Sequence, residues 1–200
     1  MRSQLRVWHT LVLCFLLFTP TRTPALYPNQ PNTRGTPGRP LREEKLAGLV
    51  VQTSTLGEAT RLHGAGYFVS PDDPDEYVWY DETRSIYLSV YLSDGYRIRG
   101  IILSRTGAKA ACSTNLDHAL LVSGKGLRLG EQTVKARKLY GQPNQFIDPA
   151  RGPYDESNWV TWRYDDWSKE AEKDPVPVYF LISYSKKDKR IQKMELWFGD

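Results

Sequence analysis

Three residues that lie close together in the sequence have side chains that could carry chemistry: Cys112, Asp117 and His118. A thiol beside an imidazole can act as a nucleophile with its base, and the three side chains together could also hold a metal ion. Their spacing matches no established metal-ligand pattern, however, and thiol catalysis requires an environment that favours the thiolate. We keep a hydrolase or metal-dependent enzyme centred on these residues as an alternative, and we predict no catalytic residue, no metal site and no cofactor.

Two further features could be taken for sites. The run PDDPDE at positions 71–76 offers the oxygen ligands that calcium prefers, but it lacks the glycine and the distal glutamate of an EF-hand loop. We interpret it as a solvated loop before a strand. His63 stands just before a glycine at the end of a predicted helix, where the helix dipole favours a cation, and we interpret it as a structural residue.

The aromatic residues carry a stronger signal, since the chain has 6 tryptophans and 12 tyrosines, many of them on predicted strands. Between positions 86 and 93, aliphatic residues alternate with Tyr87, Ser89, Tyr91 and Ser93. Because successive side chains of a strand point to opposite faces, we expect these tyrosines to lie away from the helices. Rigid aromatic rings among small polar side chains are typical of a binding surface. Packing between strands or at a seam inside the fold is the other interpretation.

The elements that must position these residues follow from periodicity. Thr55, with a glutamate three residues later, forms a capping-box pattern that predicts a helix start, and Gly64 and Gly141 stand where helices end. After each helix the sequence has an aromatic strand and then two runs of alternating apolar residues, joined by turns at 93–95 and 186–189. This alternation predicts an antiparallel sheet with one covered face, and so an α+β fold.

The helical segments at 48–66 and 126–143 resemble each other. Both begin with Gly-Leu, carry a threonine near the predicted helix start and contain Leu-x-Gly where the helix is predicted to end, at 62–64 and 139–141. One helix followed by three strands recurs at a spacing of about 78 residues, which suits a tandem duplication. We therefore predict two tandem repeats, 44–106 and 107–200, each a short helical segment packed on an antiparallel sheet of about three to four strands. Two unrelated α+β halves are the alternative.

This layout resembles the beta-lactamase-inhibitory-protein-like fold, whose namesake has two tandem helix-plus-sheet repeats. The segment Gly126-Leu-Arg-Leu-Gly130, with Val134 and Leu139-Tyr-Gly-Gln-Pro143, is also similar to the helical signature of related small bacterial envelope modules of the outer-membrane assembly lipoprotein type. The resemblance covers residues 45–200.

One residue role follows from this resemblance. A hairpin of the namesake's first repeat carries an aspartate into the active site of the enzyme it inhibits, and the counterpart by position is Asp94. Turn geometry alone also selects an aspartate followed by glycine. The chain departs from the namesake at Cys112, which has no partner cysteine for the disulfide that each repeat of the namesake carries.

The first 43 residues are predicted to lie outside the fold. Residues 1–25 combine Arg2 and Arg6, an apolar run at 11–18 and small residues before a cleavage point, which is the pattern of a signal peptide. Residues 26–43 are rich in proline and arginine and predict a flexible linker. We therefore expect a secreted or periplasmic protein without a transmembrane segment in the mature chain. Its one remaining cysteine forms no internal disulfide.

We predict from these features an exported, non-enzymatic protein that binds a protein or a cell-envelope component with an aromatic sheet surface. The predicted partner-binding residues are Tyr87, Tyr91, Trp162 and Tyr164, with Asp94 as a secondary residue. Nucleic acid is not expected for an exported chain, although lysines lie near the aromatic residues. The sequence leaves the oligomeric state open. A purely structural envelope module is a further alternative.

Overall fold

The computed structural model describes residues 43–107, 116–147, 158–166 and 178–199. The chain divides into two compact units, and all of the described residues belong to the second, Thr33–Asp200. The predicted signal peptide at 1–25 and nearly all of the predicted linker at 26–43 lie outside the described residues, as does Cys112. Neither helix in the described part of the chain is long and apolar enough to cross a membrane.

The described residues form ten strands and two helices. In chain order the elements are β1 (Lys45–Leu46), β2 (Leu49–Val50), α1 (Leu56–His63), β3 (Phe68–Val69), β4 (Glu76–Asp81), β5 (Ile86–Leu92), β6 (Ile98–Ser104), α2 (Thr133–Tyr140), β7 (Gln145–Ile147), β8 (Trp159–Asp166), β9 (Val178–Ser185) and β10 (Ile191–Phe198). The predicted α+β class with antiparallel strands is confirmed.

Eight of the strands form one sheet in the order β3-β4-β5-β6-β10-β9-β8-β7, and all of its neighbouring strands are antiparallel. The β5–β6 hairpin meets the β9–β10 hairpin where β6 pairs with β10, from Gly100 opposite Trp197 to Ser104 opposite Lys193. The strands therefore form one continuous sheet, where we predicted a sheet of three to four strands in each repeat. Strands β1 and β2 form a separate small hairpin.

The two helices have similar ends but different starts. At the start of α1 the Thr55 hydroxyl accepts a hydrogen bond from the Glu58 backbone N–H at 3.3 Å, as the capping pattern predicts. Helix α2 follows Gln132, whose side chain makes no such bond. Both helices end at a glycine with positive φ, Gly64 at 86° and Gly141 at 76°, a backbone conformation that glycine adopts without strain.

Both helices pack on the same face of the sheet, which we call the covered face. His63 of α1 lies beside Trp79, and Tyr140 of α2 lies beside Phe180 with ring centroids 5.1 Å apart. The β1–β2 hairpin adds Leu46 and Leu49 to the same core, where both are fully buried. Burial of this large apolar face supplies most of the driving force for folding.

Candidate functional site

The opposite face of the sheet, which we call the open face, carries aromatic and polar side chains. Directly opposed residues of antiparallel strands project to the same side, so the strand register shows which side chains lie in one row. One row contains Tyr80, Tyr87, Ser104, Lys193, Ser183 and Thr161. A second row contains Glu76, Tyr91, Gly100, Trp197, Tyr179 and Asp165.

A groove of about 400 Å³ lies on the open face near the β9–β10 turn. It is lined by Thr106, Asn158, Trp159, Thr161, Ser183, Lys193 and Glu195. The polar groups of its floor are already paired. The Thr161 and Ser183 hydroxyls lie 2.7 Å apart, and the Lys193 ammonium lies 2.9 Å from the Glu195 carboxylate.

The described residues that line this groove combine one aromatic ring with hydroxyl and charged side chains. The Trp159 ring is half-buried and forms one wall, whereas Ser183 is buried and its hydroxyl is occupied by Thr161. The groove therefore presents one aromatic side chain and several polar side chains to its interior.

An aromatic cluster continues from the groove toward the other end of β10. The Trp197 ring lies over Gly100, where a Cβ atom would overlap it, and beside the Tyr91 ring at a centroid distance of 4.8 Å. The Trp197 indole N–H donates to the Glu195 carboxylate at 3.3 Å, so Glu195 joins the groove to the cluster. Burial, with the hydrogen bond to Glu76 and its charge, raises the pKa of Tyr91, whose hydroxyl stays protonated at neutral pH.

Tyr87 and Tyr91 lie on the predicted face, opposite the aliphatic residues of β5, but neither is fully exposed. Tyr87 is only 8% exposed, because it stacks on Tyr80 at 4.4 Å and has the backbone of Gly107 against its ring. Tyr91 is half-buried. Tyr91 is therefore the one of the two that offers contact area.

Trp162 and Tyr164 do not lie on the open face, which corrects the prediction for them. They are 2% and 3% exposed, since the register places them opposite Ile182 and Phe180 on the covered face. Successive side chains of β8 project to opposite faces of the sheet, and both faces receive aromatic residues. In the sequence, only the charges of Arg163 and Asp165 indicate which face points away from the core.

Trp159, which the sequence prediction passed over, projects to the same face as Arg163 and Asp165 and lines the groove. Asp94 lies instead in the exposed β5–β6 turn. That turn precedes Gly100, whereas the groove lies near Ser104 at the other end of β6, so Asp94 and the groove are not brought together.

The residues proposed for the enzyme alternative have local structural roles where the structure describes them. The Asp117 carboxylate accepts the Ala119 backbone N–H at 2.9 Å within an exposed turn, and His118 is exposed beside it. In the acidic loop, Asp73 accepts the backbone N–H of Asp75 in the same way. Within the described ranges no group of three or more His, Cys, Asp or Glu side chains is placed to hold a metal ion.

A buried polar network was missed because the sequence assigns Glu43 to the linker. Glu43 is 4% exposed, and its carboxylate accepts hydrogen bonds from the Tyr140 hydroxyl and from the backbone N–H groups of Lys45, Gly124 and Lys125. Burial and the charge of Glu43 raise the pKa of Tyr140, so this hydroxyl remains a donor. The network fastens the start of the described chain to the loop before α2.

His63 is structural, but not for the reason that the sequence suggested. It is 4% exposed, and its Nε2 lies 2.8 Å from the Ala47 carbonyl oxygen. Burial lowers the pKa of His63 below its ordinary value of 6.5, which outweighs the opposing effects of Ala47 and Asp117. The neutral imidazole, rather than a cation at the helix end, is therefore the form that folding favours.

Comparison with known proteins does not identify a family. No protein-family model matches the chain, and no curated protein matches it. Among solved structures, it is similar to the crystal structure of a DUF4309 family protein (YjgB) from Bacillus subtilis subsp. subtilis str. 168. That alignment covers 76% of this chain and 82% of the other, with a TM-score of 0.45 and 14% identity. A likeness of this degree carries no argument about fold or function.

Proposed function

We propose that the chain is an exported, non-enzymatic binding protein that engages a protein or cell-envelope partner with the open face of its sheet. The observation that carries the proposal is the groove at the ends of β8, β9 and β10, which is lined by Trp159 and by the Lys193–Glu195 ion pair. An aromatic wall next to paired polar groups supplies both contact area and hydrogen-bond specificity.

The aromatic cluster extends this binding surface along β10. The rings of Tyr91 and Trp197 pack together, and Arg163 lies over the Tyr179 ring at 4.7 Å. Side chains that are already held in place lose little conformational entropy when a partner binds, so their apolar area contributes more fully to affinity. The partner surface that fits is a polar segment with an exposed aromatic or aliphatic side chain.

We further propose that the two halves of the fold arose by tandem duplication, in line with the resemblance to the beta-lactamase-inhibitory-protein-like fold. The support is the repeated order of one helix and four strands, with the sheet order mirrored about the β6–β10 pair. Corresponding arginines also make corresponding bonds. Arg97 donates to the Thr53 carbonyl oxygen at 2.9 Å, and Arg190 donates to the Gly130 carbonyl oxygen at 2.8 Å.

A purely structural envelope module is the second candidate, and the burial of Tyr87 favours it. A ring that is 8% exposed and stacked on Tyr80 stabilises neighbouring strands and offers a partner little area. Under this interpretation the groove would remain vacant in cells. The experiment that follows separates the two candidates.

The test is site-specific photo-crosslinking in cells that make the full chain. A photoreactive amino acid replaces Thr161 in the groove, and in a matched control it replaces Arg61 on the exposed side of α1. We expect a discrete adduct from position 161 that position 61 does not give, and we expect Trp159→Ala with Lys193→Ala to abolish it. Absence of an adduct from position 161, or the same adducts from both positions, would rule out the groove as a binding site.

A further inference from the structure

A strongly basic surface lies on the second half of the fold. It consists of two segments, 123–141 and 185–191, which we call the basic surface. They contain nine cationic side chains against the two anionic side chains of Glu131 and Asp188. The cations are Lys125, Arg128, Lys135, Arg137, Lys138, Lys186, Lys187, Lys189 and Arg190.

Backbone contacts join the two segments into one continuous surface. The Thr133 backbone N–H at the start of α2 donates to the Lys189 carbonyl oxygen at 3.0 Å, and Gln132 forms a β-bridge with Arg190. The Arg190 guanidinium reaches back to the Gly130 carbonyl oxygen. The β9–β10 turn and the exposed side of α2 therefore present their charges together.

The corresponding region of the first half serves as an internal control. Segments 46–64 and 93–98 also form a loop, a helix and a hairpin turn, and their Thr55 forms a β-bridge with Arg97 as Gln132 does with Arg190. They carry two cations, Arg61 and Arg97, against two anions, Glu58 and Asp94. The same backbone arrangement thus forms without net charge, so the net charge of +7 on the basic surface is not required by the fold.

The basic surface also holds an exposed apolar side chain. Val134, in the first turn of α2, is 75% exposed, and Lys135 and Lys138 are exposed on the same helix. The two anionic side chains are engaged locally, since Glu131 pairs with Lys135 at 2.6 Å and Asp188 accepts the Arg190 backbone N–H. Clustered basic side chains are attracted to anionic lipid headgroups, and burial of an exposed apolar side chain at the membrane interface adds to that attraction.

We infer that the basic surface docks on an anionic lipid surface, with the cations at the headgroups and Val134 facing the acyl boundary. Electrostatic attraction to the headgroups and burial of one apolar side chain act together in this arrangement. The inference rests on the charge and exposure of the second half and is independent of the groove on the open face. Photo-crosslinking from the groove and lipid binding by the basic surface can therefore succeed or fail separately.

The test is co-sedimentation of the full chain with two kinds of vesicle, phosphatidylcholine alone and equal parts phosphatidylcholine and phosphatidylglycerol. Because the apolar run at 11–18 could itself associate with lipid, the quantity measured is the difference between the two vesicles. We expect tighter binding to the anionic vesicles, and we expect salt to weaken it. Lys138→Gln with Lys187→Gln is expected to lower partitioning by about thirtyfold, since each basic side chain near such a surface contributes about fivefold.

The matched control removes the same charge from the first half, by Arg61→Gln with Arg99→Gln, and is expected to leave anionic binding nearly unchanged. Equal losses in the two double variants would overturn the inference, because binding would then follow net charge alone. So would an absence of preference for phosphatidylglycerol at low salt. Thermal unfolding of each variant confirms that the fold is retained.

Val134→Ser separates a membrane from a dissolved polyanion. Loss of the buried valine is expected to reduce vesicle partitioning by roughly tenfold and to leave binding to inorganic polyphosphate or single-stranded DNA unchanged. Retention on the polyanion with no vesicle binding would assign the basic surface to a different class of partner and overturn the lipid inference.

Discussion

The two helices end with the same backbone conformation, but their last residues carry different side chains. His63 and Tyr140 are the last residues of α1 and α2, each is buried, and each is followed by a glycine with positive φ. The His63 ring makes one hydrogen bond, to Ala47, and its Nδ1 has no partner in the described part of the chain. The Tyr140 hydroxyl instead joins Ser123 and Glu43 in a shared network.

This difference shows that the shared backbone of the two halves determines where a buried polar side chain stands, but not which side chain it is. A buried polar atom without a partner is costly, and the two halves differ in how they meet this cost. The Tyr140 hydroxyl is fully engaged, whereas one of the two nitrogens of the His63 ring has no partner in the described part of the chain. In the second half, Glu43 accepts the Tyr140 hydrogen bond, and this contact holds the start of the described chain against the loop before α2. The first half uses the His63 imidazole, whose pKa is lowered by burial. The four predictions below test this contrast and two related ones, in order of decreasing effect.

The largest effect is expected from Glu43→Gln. The amide would place an NH₂ group where the Tyr140 hydroxyl and backbone N–H groups all donate, and a buried donor would be left unsatisfied. We expect a loss of about 3 kcal/mol in the free energy of unfolding, measured by urea denaturation. Glu58→Gln, on the exposed side of α1, is the control and is expected to change stability by less than about 0.5 kcal/mol. An equal effect of both changes would contradict the network.

Corresponding positions of the central strands also differ, Gly100 on β6 and Lys193 on β10. Gly100→Ala is expected to cost about 2 kcal/mol, because the new methyl group displaces the Trp197 ring from Tyr91. Tryptophan fluorescence should shift in the same variant.

Gly95→Ala is the control for this change, since a Cβ atom there would meet nothing within 4 Å. In the background of Trp197→Ala, the cost of Gly100→Ala should shrink, because the ring that it displaces is gone. An undiminished cost would show that Gly100 is needed for another reason.

His63 should make the first half sensitive to acid. Its pKa is lowered in the folded state, so the unfolded chain binds more protons below pH 6.5, and stability falls as the pH drops from there toward the folded pKa. The loss is at most about 1.4 kcal/mol per pH unit for one proton.

In the acid range, His63→Gln should flatten the curve of unfolding free energy against pH, and His118→Gln, in an exposed turn, should leave its slope in place. A slope that survives His63→Gln would assign the acid sensitivity to another group. Tyr140, whose pKa is raised by burial and by the charge of Glu43, contributes nothing in this range.

The smallest effect is expected at the two hairpin turns. Tyr96 and Lys189 both have a φ of 58°, a left-handed conformation that costs a side chain with a Cβ atom about 1 kcal/mol. Tyr96→Gly and Lys189→Gly should each raise the melting temperature slightly, by a gain of about 0.5 kcal/mol. Asp94→Gly, at a turn position without positive φ, should not raise the melting temperature. A clear difference between the two glycine variants would show that the turns are strained unequally.

Much of the secondary structure could be predicted, because it depends on local patterns. The caps at Thr55, Gly64 and Gly141 are properties of short segments, and the structure confirms them. The register of β5 also places Tyr87 and Tyr91 on one face, as predicted, but six of the seven residues of this strand are buried, so its alternation did not mark a solvent-exposed face.

The orientation of β8 was harder to predict, since Trp159 and Trp162 project to opposite faces of the sheet. Only Arg163 and Asp165 distinguish those faces, and the prediction overlooked them.

The sequence by itself determined the class of the fold, the two helical segments and the face on which Tyr87 and Tyr91 lie. Only the tertiary structure decided that the strands form one sheet, that Trp162 and Tyr164 belong to the core, and that Glu43 is buried. The physical reason is the separation in sequence between the residues that interact. Caps and alternation act over a few residues, whereas the β6–β10 pairing and the Glu43–Tyr140 contact join residues about 90 to 100 positions apart, which no local pattern records.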